Sequence, residues 1–125
     1  LDYAHGTGHG VGYFLNVHEG PQAISKNNKV NFQEGMIISN EPGYYENGKF
    51  GIRIENLVRV KKDKKGYSFN NLTMVPIDKS LINKNILKKN ELIWLNNYHK
   101  NVFYNLKKFM NKSELSDLRQ ACSKI

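Results

Sequence analysis

HGTGHGVGYFLNVHEGP, His5–Pro21, holds three of the chain's four histidines and alternates glycine through its first half. His5 and His9 stand at the i, i+4 spacing that places two ligands on one helix face. Gly6, Gly8, Gly10 and Gly12 argue against a helix, because each costs a helix interior roughly 1 kcal/mol relative to alanine. Gly6 also occupies the position where a helical metallopeptidase motif needs a glutamate. A phosphate cradle fails as well, since neither G-x-G-x-x-G nor G-x-x-x-x-G-K-[ST] falls in register on these glycines. What remains is a turn leading into a strand. Glycine gives the backbone freedom for the turn, while Val11, Tyr13, Phe14 and Val17 supply strand-forming side chains. A glycine loop carrying surface histidines is the plain alternative.

Composition sets the context. The 125 residues, 39% hydrophobic and 24% charged, have the size and balance of one soluble globular domain. No apolar run approaches the roughly 18 residues of a membrane span, so no membrane partner is expected. No signal peptide is evident; the chain opens at Leu1 rather than Met, and an upstream start is expected. A single cysteine, Cys122, allows no internal disulfide and points to a reducing, cytoplasmic setting. The net charge of +8 raises nucleic acid as a partner. Its distribution argues otherwise: the lysines of 61–65 and 79–108 are interrupted by Asn and Gly and form no basic stripe with stacking aromatics. No nucleic-acid partner is expected.

A second stretch, GMIISNEPGYYENGKFGIRIENLVRV (Gly35–Val60), reads as an apolar strand from Met36 to Ser39, a turn, and a strand from Phe50 to Val60. Pro42 holds Glu41 extended at a strand end, and Gly43 lets the chain turn away. Alternation in Gly51-Ile52-Arg53-Ile54-Glu55 puts Ile52 and Ile54 on one face and Arg53 and Glu55 on the other. Glu55 then shares its face with a guanidinium that orients it. A lone glutamate in a strand is ordinarily solvated, but Glu41 and Glu55 with the histidines make a coherent set. A centre built from two glutamates and one histidine is oxygen-dominated and suits Mn²⁺ or Co²⁺ better than a thiolate or tris-histidine zinc site. Bridging carboxylates suit two ions roughly 3.5–4 Å apart.

Four motifs, His5-Gly-Thr-Gly-His9-Gly-Val-Gly12, Val17-His18-Glu19-Gly20-Pro21, Glu41-Pro42-Gly43-Tyr44-Tyr45 and Gly51-Ile52-Arg53-Ile54-Glu55-Asn56, together resemble the Xaa-Pro aminopeptidases, which are pita-bread metallopeptidases. WLNNYH, Trp94–His99, resembles the C-terminal region of their long eukaryotic forms, and the likeness runs to about Asn105. The resemblance implies an α+β chain, the C-terminal half of a pita-bread (creatinase/aminopeptidase) fold over 1–78, with a C-terminal helical extension over 79–125. It implies that His9, Glu41 and Glu55 are metal ligands, that His5 and His18 contact substrate or move protons, and that Arg53 and Tyr45 support the site. The implied cofactor is a dinuclear manganese centre, with cobalt or zinc as substitutes. Implied partners are a peptide with N-terminal Xaa-Pro, the upstream half of the same enzyme, and a second copy in a homodimer.

One departure accompanies the match. The family's centre also takes two upstream aspartates and uses a further upstream histidine; Asp2, Asp63, Asp78 and Asp117 do not sit in that pattern. Three of five ligands are present, so the chain is expected to be a fragment or a processed piece. The leading expectation is hydrolysis of the bond before a penultimate proline, with Glu41 doubling as proton acceptor and His18 stabilising the oxyanion. A prolidase acting on Xaa-Pro dipeptides, or a pita-bread module that binds peptides without catalysis, are the alternatives. The retained ligands speak against the last.

The remainder reads more coarsely. Tyr67 to Ile77 suggests a strand ending at Pro76, after a Lys-rich turn closed by Gly66. From Lys88 to Met110, Leu92, Leu95, Val102, Leu106 and Phe109 recur at helical spacing, with Trp94, Tyr98 and Phe103 widening the stripe into a packing face. Ser113 is expected to cap a last helix reaching about Ser123.

Overall fold

The computed structural model describes residues 2–14 and 16–125. The chain divides into two compact units, Leu1–Thr73 and Met74–Ile125, whereas the sequence reading placed its division after residue 78.

In the first unit, the strand expected after the glycine turn is only β1 (Gly8–His9), paired antiparallel with β2 (Ala23–Ile24). The residues read as its continuation form a loop instead, with Tyr13 98% and Phe14 79% exposed. The cause is local. Val11 still donates to the Ile37 carbonyl at 3.2 Å, but beyond it the Gly12 N–H donates to the Asn16 carbonyl at 2.7 Å and the Glu19 N–H to the Gly10 carbonyl at 2.9 Å, so the backbone folds on itself.

A three-stranded antiparallel sheet carries the core. β3 (Ile37–Asn40) pairs with β6 (Asn56–Asp63), which pairs with β7 (Gly66–Asn71). Asn56, Val58 and Val60 are buried while Arg59 is exposed, the period-two pattern of a sheet with one covered face. Ile38, Val58 and Val60 form the buried cluster, against which Ile24, Phe32 and Met36 pack. Beyond Val60 the β6–β7 hairpin runs out into solvent with its lysines. β7 ends at Asn71, short of the Pro76 expected from the sequence.

β4 (Gly43–Glu46) and β5 (Phe50–Arg53) make a separate hairpin. The expected single strand from Phe50 to Val60 is therefore two, interrupted at Ile54–Glu55. Partner geometry explains the break: Arg53 lies opposite Gly43, but Asn56 lies opposite Asn40. The chain must step past the Glu41–Pro42 corner between those pairings, and Ile54 donates to the Pro42 carbonyl at 3.4 Å as it does so. Strict alternation does not survive the step, and Ile52 and Ile54 are 40% and 46% exposed.

The second unit is helical. Helix α1 spans Lys89–Leu106 and α2 spans Lys112–Ala121, preceded and separated by short 3-10 turns. The Glu91 carboxylate accepts the Lys88 N–H at the start of α1. Asn111, rather than Ser113, caps α2: its side chain accepts the Glu114 N–H while the Glu114 carboxylate accepts the Asn111 N–H, a reciprocal capping box. Lys79 extends its ammonium to the Gln120 and Ser123 carbonyls at the other end of α2, where the helix dipole favours a cation. Tyr98, Val102 and Leu118 form the core, with Phe103, Leu106 and Met110 around them. Phe109, read as part of the packing stripe, lies beyond α1 in a 3-10 turn and is 70% exposed.

Candidate metal centre

The site is built where β1 lies between β2 and β3. A Cβ on Gly8 would overlap the Ser39 carbonyl oxygen, so only glycine lets these backbones meet so closely. The next residue is His9, whose N–H donates to the Ser39 hydroxyl at 2.9 Å. That hydroxyl in turn donates to Glu41 Oε1 at 2.9 Å. The Glu41 N–H donates to the Thr7 carbonyl at 2.7 Å, tying the strand end back to the β1 segment. Ser39 is fully buried and Glu41 only 8% exposed. Pro42 keeps Glu41 extended at the strand end, as its sequence position suggested.

From Glu41 the contacts run in two directions. Its Oε2 takes a charge-assisted hydrogen bond from an Arg53 terminal nitrogen at 3.1 Å. Arg53 Nε donates to the Tyr45 hydroxyl at 2.9 Å, and that hydroxyl lies 2.7 Å from His5 Nε2. The hydrogen bond to Tyr45, assisted by the Glu41 and Glu55 carboxylates, holds the Arg53 guanidinium above its ordinary value. Tyr45 reaches this position because its ring lies flat over Gly43 and Gly51, where a side chain at either glycine would collide with it. In the other direction, His9 Nε2 stands 3.2 Å from Glu41 Oε1, and the His18 ring is 4.2 Å from the His9 ring between centroids.

The histidine tautomers follow from their carbonyl partners. His9 Nδ1 is 2.9 Å from the Gly10 carbonyl and His5 Nδ1 is 2.7 Å from the Gly6 carbonyl. A carbonyl can only accept, so both Nδ1 atoms carry protons. His9 Nε2 is thereby aimed at Glu41 Oε1, 3.2 Å away. This is the outer-shell arrangement that orients a metal-binding histidine. His9 Nε2 and Glu41 Oε1, a nitrogen and a carboxylate oxygen 3.2 Å apart, would fit as two donors to one metal ion.

Glu55 does not join them. It is exposed, on the link between β5 and β6, and among the described residues no three His, Cys, Asp or Glu side chains converge to hold an ion. The interruption at Ile54–Glu55 removes the strand alternation that was expected to aim it. Of the residues singled out in the sequence, the fold thus brings His5, His9, His18, Glu41, Tyr45 and Arg53 together. Ser39 and Thr7 were missed. The one available signal was the position of Ser39, two residues before Glu41 in a strand and so on the same face.

Residues 1–62 match metallopeptidase family M24, and residues 65–125 match the C-terminal region of peptidase M24. The chain belongs to metallopeptidase family M24. Xaa-Pro aminopeptidase 1 of Dictyostelium discoideum is 53% identical over 82% of this chain and 18% of its own length. A probable Xaa-Pro aminopeptidase P of Laccaria bicolor is 46% identical over all of this chain and 22% of its own. Among solved structures, the X-prolyl aminopeptidase of Caenorhabditis elegans, a cytosolic enzyme with a di-nuclear active site, superposes with a TM-score of 0.88 at 39% identity. It covers all of this chain, which covers 22% of it. This M24 chain is thus of the α+β, pita-bread type, and it spans about a fifth of the length of the relatives it matches.

Proposed function

We propose that this M24 chain supplies part of the dinuclear centre of a metallo-aminopeptidase that removes the first residue from peptides with proline in second place. The observation that carries the reading is the His9–Glu41 pair, with His9 Nε2 3.2 Å from a carboxylate that Ser39 and Arg53 hold in place. The names of the relatives support the substrate class. In this reading His9, Glu41 and Glu55 are ligands, and aspartates from elsewhere in the whole protein complete the set. The oxygen-rich donors favour manganese, with cobalt or zinc as substitutes.

When bound, the ions polarise the scissile carbonyl and make water nucleophilic at neutral pH. The chain's own residues then divide the work. Glu41 takes the proton of the attacking water. His18, exposed beside His9, donates to the developing oxyanion. His5 binds substrate or passes a proton, its tautomer set by Gly6 and its ring held by Tyr45. Arg53 holds Glu41 Oε2 and the Tyr45 hydroxyl in place. A homodimer in the cytoplasm belongs to the same reading, supported by the family resemblance and by the cytosolic setting of the worm relative.

The test is to purify the whole protein, strip it with a chelator, restore Mn²⁺, and assay an Xaa-Pro-Xaa tripeptide beside an Xaa-Pro dipeptide. Metal-dependent release of the first residue from the tripeptide is the expected result. Turnover of the dipeptide alone would make it a prolidase, and metal binding with no turnover of either would leave a binding module.

A further inference from the structure

We propose that Tyr3 is a positioning residue for His5, an inference that rests on the peptidase reading above. The His5 imidazole is held at both nitrogens, Nδ1 by the Gly6 carbonyl and Nε2 by the Tyr45 hydroxyl. Two point contacts at the ring edge leave the imidazole plane free to rock. Tyr3 supplies what they lack: its ring lies over that of His5 with centroids 4.7 Å apart and planes inclined by 33°. Tyr45 meets the same imidazole edge-on, at 5.5 Å and 75°. The imidazole is thereby confined between one aromatic face and one aromatic edge.

Tyr3 is itself anchored to the frame of the site. Its hydroxyl is 2.6 Å from Thr7 Oγ1. The same threonine accepts the Glu41 N–H through its carbonyl and donates its own N–H to the Ile24 carbonyl. A displacement of Tyr3 is therefore felt at the His5 ring, while the Thr7 backbone keeps its own bonds to Glu41 and Ile24. Tyr3 is half-buried and stands outside the Ile38, Val58 and Val60 cluster. Its removal leaves that core intact, so its effect is on the orientation of His5 and not on folding of the sheet.

The experiment uses the full-length protein with Tyr3→Leu, which loses ring and hydroxyl, and Tyr3→Phe, which keeps the stacking ring. Histidine labelled with ¹³C at ε1 reports the His5 environment directly, the signal being assigned by its loss in His5→Gln. Tyr3→Leu is expected to shift the His5 resonance by removing the ring current, with Tyr3→Phe close to the parent. On an Xaa-Pro-Xaa tripeptide, Tyr3→Leu should lower kcat about tenfold with KM little changed, and Tyr3→Phe should stay within about threefold of the parent, since misplacement of a catalytic group is felt in the rate. Metal content and the thermal midpoint should match the parent in both. An unmoved His5 resonance in Tyr3→Leu overturns the proposal. So does a loss of metal or stability in proportion to activity, which would make Tyr3 a general support. A parent protein that binds metal but cleaves no peptide overturns the peptidase reading, and the His5 resonance then decides the positioning role by itself.

Discussion

Ser39 shows how much a small side chain can organise. Its hydroxyl accepts the His9 N–H and donates to Glu41, so Ser39→Ala leaves a donor and a carboxylate oxygen short of partners. A loss of about 1–3 kcal/mol in unfolding free energy is expected from urea titration of the whole protein. Glu41→Ala and His9→Ala should each remove metal and activity together. His18→Ala should keep its metal while kcat falls by roughly 10²–10³, the usual loss for one oxyanion donor; loss of metal from that variant would show that His18 is a ligand. His99 bears on pH. It is fully buried, its Nε2 accepts the Ile77 N–H at 3.1 Å, and its Nδ1 is unpartnered among the described residues. Burial, with Lys79 nearby, holds its value below the ordinary imidazole range. A base depressed by folding binds its proton more readily in the unfolded chain. The stability of the neutral form is therefore complete above about pH 6.5 and is lost as pH falls below that. His99→Gln keeps an acceptor for Ile77, so its thermal midpoint should fall less than the parent's between pH 7.5 and 5.5. Parallel slopes would refute this. His5, His9 and Glu41 drew notice in the sequence by type and context, whereas Tyr45 and the supporting place of Arg53 came only with the family resemblance; the fold sets all five near one another. Ser39, Thr7 and Tyr3 drew none, because common side chains gain their role only from what the fold sets beside them.

Elements were legible where their own pattern decides them and illegible where a partner does. Helix α1 follows from the recurrence of Leu95, Tyr98 and Val102, and β6 from the alternation of Val58 and Val60. The β4–β5 hairpin was half missed: Pro42-Gly43 reads as a turn, yet Gly43 is already paired with Arg53. The break at Ile54–Glu55 depends on two strands choosing different neighbours, which no local pattern encodes. Capping shows the same limit, since Asn111 and Ser113 both suit the start of α2 and the reciprocal pairing with Glu114 selects the former. Asn111→Ala should cost about 1 kcal/mol of stability. Gly8→Ala tests the joining of β1 to β3. Its new Cβ would meet backbone at Ser39, which cannot swing aside, so a loss of about 1–3 kcal/mol together with weaker Mn²⁺ binding is expected from unfolding and metal titrations.

For the whole molecule, the placement of chemistry is uneven: the network from His5 to Glu41 belongs to Leu1–Thr73, and Met74–Ile125 contributes none of it. The peptidase reading needs oxygen ligands beyond His9, Glu41 and Glu55. Residues 1–125 produced alone are therefore expected to show no turnover of an Xaa-Pro-Xaa tripeptide in excess Mn²⁺. Robust metal-dependent turnover by these residues would mean that the centre is assembled differently. The overlay of the Tyr45 ring on Gly43 and Gly51 reaches further than the contacts it serves. A methyl group at position 51 evicts the ring and so forfeits the hydroxyl that Arg53 and His5 share. The double variant Gly51→Ala with Tyr45→Phe should then lose little more than either single change, a strongly non-additive pair. Natural drift would meet the same arithmetic. Those positions form one heritable unit, in which the first change surrenders the function and the second finds nothing left to lose.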